Sequence, residues 1–143
     1  MRQNLIDKIQ QLYDQAPDIA PVVLLDEYFS GNTDEECIAC NQIGYGRPPL
    51  EQFCNILKSI GRKPEVRTIL VGLHPDWEEV YDNPEIWPAA ENIHIYTDAS
   101  ADTVKEWVND LAVDYIHEGW TYGEHPAAPK PEDGFKIYTL CWD

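Results

Sequence analysis

Basic residues are scarce in this sequence. Ten lysines and arginines stand against 26 aspartates and glutamates, a formal net charge of −16 over 143 residues. A field of that sign repels the phosphates of nucleic acid and the surface of an anionic membrane, so neither is expected as a partner. Long apolar runs are missing too: none approaches the ~20 residues that a membrane-spanning helix needs. The N-terminal MRQNLIDKIQQLYDQ lacks the apolar stretch of a signal peptide, which makes the cytoplasm the expected location. Cysteines number four, Cys37, Cys40, Cys54 and Cys141, too few for a disulfide scaffold. Finally, there is no G-x-S-x-G, Walker loop, dinucleotide fingerprint or H-E-x-x-H. No catalytic residue, metal site or cofactor is implied by motif. The acid pairs Glu35/Glu36 and Glu78/Glu79 are adjacent in sequence, so their side chains diverge and make poor acid–base dyads.

What is present suits a folded chain. Hydrophobic residues make up 43% and aromatics 11%, and the length fits one domain over residues 1–143 with a core that needs no metal or disulfide. The charge is uneven. Residues 47–67 hold Arg47, Lys58, Arg62, Lys63 and Arg67 against only Glu51 and Glu65, while acids dominate on either side.

Periodicity predicts the elements. Leu5, Ile9, Leu12 and Ala16 mark an N-terminal helix that Pro17 ends. Pro21–Leu25 reads as a short strand and Asp26–Ser30 as a helical turn. Cys37–Asn41 is short, apolar and β-compatible. Leu50, Phe53, Cys54, Leu57 and Ile60 make the stripe of a second helix. In Val66–Leu73, both faces are apolar, so this strand should be interior. Residues 74–91 read as a loop and Asn92–Thr97 as a strand. Ser100 caps a helix carrying Val104, Trp107, Val108 and Leu111. A short extended piece falls within 114–122, and Phe135–Trp142 is the last strand. The fold class is α+β. Counted from about residue 37, the order is βαββαβ, which predicts a ferredoxin-like sheet preceded by the N-terminal helix.

Cys37-Ile38-Ala39-Cys40 matches C-x-x-C, the spacing of a redox pair or half a zinc site. On a strand, however, residues three apart face opposite sides, and no second ligand pair exists. Buried structural cysteines are the simpler reading, for Cys54 and Cys141 as well. His74, His94, His117 and His125 match no metal spacing; His94 alternates out of an apolar strand face and is expected near a cleft. Two aromatic-acidic loops are the more informative features. They hold Trp77, Glu78, Glu79, Tyr81 and Trp87 in one, and Trp120 and Tyr122 in the other. Exposed, such rings are interface anchors and the acids steer a basic partner; folded back, the tryptophans are lids on the core.

Three stretches then resemble one family together: Tyr28-Phe29-Ser30-Gly31-Asn32-Thr33-Asp34 followed by Cys40-Asn41; Glu118-Gly119-Trp120; and Cys141-Trp142-Asp143. They are similar to those of small uncharacterised bacterial proteins, a resemblance that implies no activity or cofactor. In size, acidity and α+β character the chain is also similar to bacterial immunity proteins, which neutralise toxins by binding them. The leading expectation is a non-enzymatic, protein-binding domain with candidate contact residues Trp77, Glu78, Glu79, Tyr81, Trp87, Trp120 and Tyr122 and a basic partner. The alternatives are a metal-binding or redox protein using Cys37, Cys40 and the histidines, and a self-associating domain that buries an open sheet face in a homodimer.

Overall fold

The computed structural model describes residues 1–142; Asp143, the end of the closing motif, lies outside them. The chain runs α1 (Arg2–Gln15), β1 (Val22–Leu24), α2 (Leu25–Phe29), α3 (Leu50–Gly61), β2 (Val66–Leu73), β3 (Ala90–Thr97), α4 (Ala101–Trp107), β4 (Tyr115–Glu118) and β5 (Lys136–Cys141). Tight 3-10 turns occupy Cys40–Gln42, Pro75–Tyr81 and Asn109–Leu111. The strands form one sheet in the order β1-β2-β3-β5-β4, and every neighbouring pair is antiparallel. No helix among the described residues is long and apolar enough to cross a membrane.

The α+β class holds, but the sheet does not follow the ferredoxin-like order. That arrangement contains β-α-β units and therefore parallel neighbours; here there are none. The divergence starts at Cys37–Asn41, which is a turn rather than a strand. The Asn32 side chain accepts from the Asp34 N–H at 2.9 Å, and the Asp34 side chain accepts from the Glu36 N–H at 3.0 Å. These local bonds compete with a ladder. Ala39 then takes φ +51°, in the left-handed region, which ends any extended run. Val22–Leu24 supplies the first strand instead, pairing with Leu70–Gly72. The segment 74–91 also differs from expectation, because seven of its residues form the 3-10 turn Pro75–Tyr81.

Alternation sorts the side chains onto two faces. Ile69, Val71 and Leu73 of β2, Ile93 and Ile95 of β3, and Tyr138 and Leu140 of β5 face the helices. There they join Leu5, Ile9 and Leu12 of α1, Phe53, Leu57 and Ile60 of α3, and Val104 of α4 in one core. The opposite face carries Leu70, Tyr96 and Ile137, which pack with Val22, Ala128 and the half-buried Trp120. Trp120 and Ala128 lie over this face, and the Tyr96 hydroxyl donates to the Pro129 carbonyl at 2.8 Å. His125 pins the segment between Trp120 and Ala128: its Nε2–H donates to the Leu12 carbonyl at 2.8 Å, while Nδ1 accepts from the Ala127 N–H at 3.0 Å. The chain itself therefore covers part of this sheet face.

Candidate functional site

Where β2 leaves the sheet and β3 enters it, the two ends are held together. His74 N–H donates to the Ala89 carbonyl at 2.9 Å, and Leu73 pairs with Ala90. His74 begins the Pro75–Tyr81 turn as its N-cap; its Nδ1 accepts from the Asp76 N–H at 2.9 Å. With Nδ1 acting as acceptor, the ring proton sits on Nε2, which lies 3.2 Å from Glu91 Oε2 and donates to it. The imidazole thus orients a carboxylate. The 3.6 Å approach of Asp76 Oδ2 to Nδ1 is too long to be a hydrogen bond.

This pair stands in a cleft of about 550 Å³. Tyr13 comes from the end of α1, and the link 17–21 supplies Asp18 and the apolar Pro17, Ile19 and Pro21. Trp77 and Glu78 come from the 3-10 turn, and Tyr122 from the segment that His125 pins. Among the described residues no lysine or arginine lines the cleft.

The expected contact residues divide into two groups. Trp77 is 2% and Trp87 8% exposed, so both are core lids. Trp77 packs edge-on against Tyr13 at 5.8 Å and Tyr81 at 6.0 Å, and it borders the cleft. Trp87 donates its indole N–H to the Tyr28 carbonyl at 2.8 Å. Trp120 is half-buried over His94 and Tyr96, and its indole N–H is buried without a partner. By contrast, Tyr81 is 55% and Tyr122 60% exposed, and Glu78 and Glu79 are exposed beside Tyr81. The Tyr81 hydroxyl donates to Gln10 of α1 at 2.8 Å. Partial desolvation, and then the carboxylates of Asp7, Asp14 and Glu78, push its phenol upward from the ordinary value. The structure therefore brings Trp77, Glu78 and Tyr122 to one cleft, sets Glu79 and Tyr81 beside it, and places Trp87 and Trp120 elsewhere.

Sequence reading missed Tyr13, Asp18 and the His74–Glu91 pair as site residues. A signal existed: strands that flank one loop and pair as a hairpin must bring the two ends of that loop, here residues 74 and 91, side by side.

The cysteines and the other histidines do not converge. Cys37 is buried, its sulfur accepting from the Asn32 amide at 3.3 Å, and burial pushes its thiol up to about 11. Cys40 is exposed. Among the described residues no group of three or more His, Cys, Asp or Glu is placed to hold a metal. His94, expected near a cleft, is buried under Trp120, with ring centroids 4.5 Å apart.

These features define an acidic α+β domain with one antiparallel sheet packed on both faces and an acidic, aromatic cleft at one end of its β2–β3 hairpin. The chain belongs to the family described as "Uncharacterized protein YfbO family", whose model matches residues 1–140. It is similar to the protein of Escherichia coli (strain K12) described as "Uncharacterized protein YfbO", at 28% identity over 145 residues that cover 96% of this chain and 98% of the relative. No solved structure matches it.

Proposed function

We propose that this protein is a non-enzymatic binding domain whose partner is a basic protein, engaged where the Pro75–Tyr81 turn meets α1 and Tyr122. One observation carries the reading. Two exposed tyrosines, Tyr81 and Tyr122, flank a cleft lined by Asp18, Glu78 and Glu91 and, among the described residues, by no lysine or arginine. Exposed tyrosines provide large contact area at low entropic cost. Carboxylates at low ionic strength steer a cationic partner and raise the association rate. The buried indoles add rigidity: Trp77 holds Tyr81 and Tyr13 in place, so little ordering is required on contact.

Hydrogen exchange with and without an oligo-arginine peptide tests this. Protection is expected across residues 75–82 and 120–124. Protection confined to the far side of the molecule, for example to α4, would overturn the assignment of the face.

A further inference from the structure

We infer that the cleft between Glu91 and Tyr122 receives a single arginine side chain of the partner, its guanidinium against Glu91 and its aliphatic stem along Pro17, Ile19 and Pro21. This rests on the binding reading above and adds the residue type recognised.

Three observations point the same way. The first is the carboxylate. Only Oε2 of Glu91 is engaged by His74, at 3.2 Å, and His74 is itself fixed by the Asp76 N–H at 2.9 Å. Glu91 is thus a pre-oriented acceptor that keeps lone pairs for an incoming forked donor, the geometry that guanidinium satisfies and ammonium does not. The second is the wall. The half-buried Tyr13 and the exposed Tyr122 line the same space, and planar guanidinium groups stack on such rings. The third is size and polarity. About 550 Å³ accommodates a long side chain with its flanking backbone rather than a lone ion. The prolines and Ile19 supply apolar surface for methylene groups. Asp18 and Glu78 add charge of the complementary sign at the same opening.

Short capped peptides that differ at one central residue provide the test, titrated into the intact protein while side-chain and amide resonances are followed by NMR. Arginine is expected to shift His74, Glu91 and Tyr122 saturably. Citrulline, the same shape without the charge, should leave them unmoved, and lysine should bind several-fold more weakly. Glu91→Gln should weaken arginine binding about tenfold, equivalent to ~1.4 kcal/mol. The amide oxygen of that variant still accepts from His74, so the fold is retained, which the unchanged amide spectrum would verify. Equal response to citrulline or to lysine overturns guanidinium recognition. A response at Glu79 and Tyr81 with none at His74 and Glu91 overturns the cleft while leaving the binding face intact. No response to any cationic peptide overturns both.

Discussion

Thr139 donates its hydroxyl proton to the Gly119 carbonyl at 2.6 Å, so its oxygen is left to accept from His94 Nδ1 at 2.7 Å. The other nitrogen of that ring lies against Gly72, where a Cβ would come within 2.8 Å of Nε2. Trp120 lies tilted over the ring, with centroids 4.5 Å apart. Bond, indole and backbone thus enclose the imidazole on three sides. Gly72→Ala is therefore expected to destabilise the protein by about 1–3 kcal/mol, as overpacking does, read as a lower urea midpoint at constant slope. Burial lowers the pKa of His94 from 6.5 to about 3. The unfolded chain thus takes this proton first as pH falls. The contribution of a neutral His94 is complete above about pH 6.5 and is lost progressively toward pH 3, at ~1.4 kcal/mol per pH unit. His94→Asn should unfold with a pH dependence shallower than wild type by about half a proton at pH 6.5, rising to nearly one at pH 5; an unchanged slope would refute the buried neutral state. Reactivity should separate the two cysteines of the C-x-x-C motif as well. Iodoacetamide at neutral pH is expected to label the exposed Cys40 and to reach Cys37, whose buried thiol is pushed up to about 11, only on unfolding.

Among the elements, the Pro75–Tyr81 turn and the stretch after it depend on a residue far away in sequence. Arg2 donates from Nε to the Ile86 carbonyl at 2.8 Å, and from Nη2 to the carbonyls of Val80 at 3.2 Å and Asn83 at 3.1 Å. Lysine keeps the charge but loses the fork. Arg2→Lys is expected to open residues 80–88 locally by about 1–3 kcal/mol, seen as faster hydrogen exchange there with the sheet unchanged. Elements whose determinants are local were legible in the sequence. The Leu50–Ile60 stripe gave α3, and Ser100 caps α4 by accepting from the Thr103 N–H at 3.2 Å. The apolar character of both faces of Val66–Leu73 also placed β2 inside the sheet. Cys37–Asn41 failed as a strand because its apolar residues are buried by a turn that Asn32 and Asp34 shape. Apolar composition signals burial, not conformation. The sheet order escaped for a related reason: Val22–Leu24 is too short to announce its role, and β5 inserts between β3 and β4 through pairing that no local pattern encodes. Half of the candidate site was legible as aromatic-acidic loops. The rest, Tyr13, Asp18 and Glu91, arrives through contacts between segments many residues apart.

Across the whole molecule, charge sets the context. A net −16 gives every part of the surface some attraction for a polycation, so simple binding of a basic peptide says little about where it binds. What distinguishes the proposed face is the coincidence of carboxylates with fixed, exposed rings. Among exposed acids, Glu78 and Glu79 lie beside Tyr81, whereas Asp102 and Glu106 lie on α4 at a distance from the cleft lining. Removing two charges from either place changes the net charge equally. The decisive measurement is the affinity of one basic peptide for Glu78→Gln/Glu79→Gln and for Asp102→Asn/Glu106→Gln, each at low salt and near 0.5 M, where screening shortens electrostatic range to about 4 Å. The first pair is expected to lose affinity about tenfold at low salt, with the difference shrinking as salt rises, and the second to lose less than about twofold. Equal losses from the two pairs would show that the peptide reads only total charge and would contradict a defined binding face.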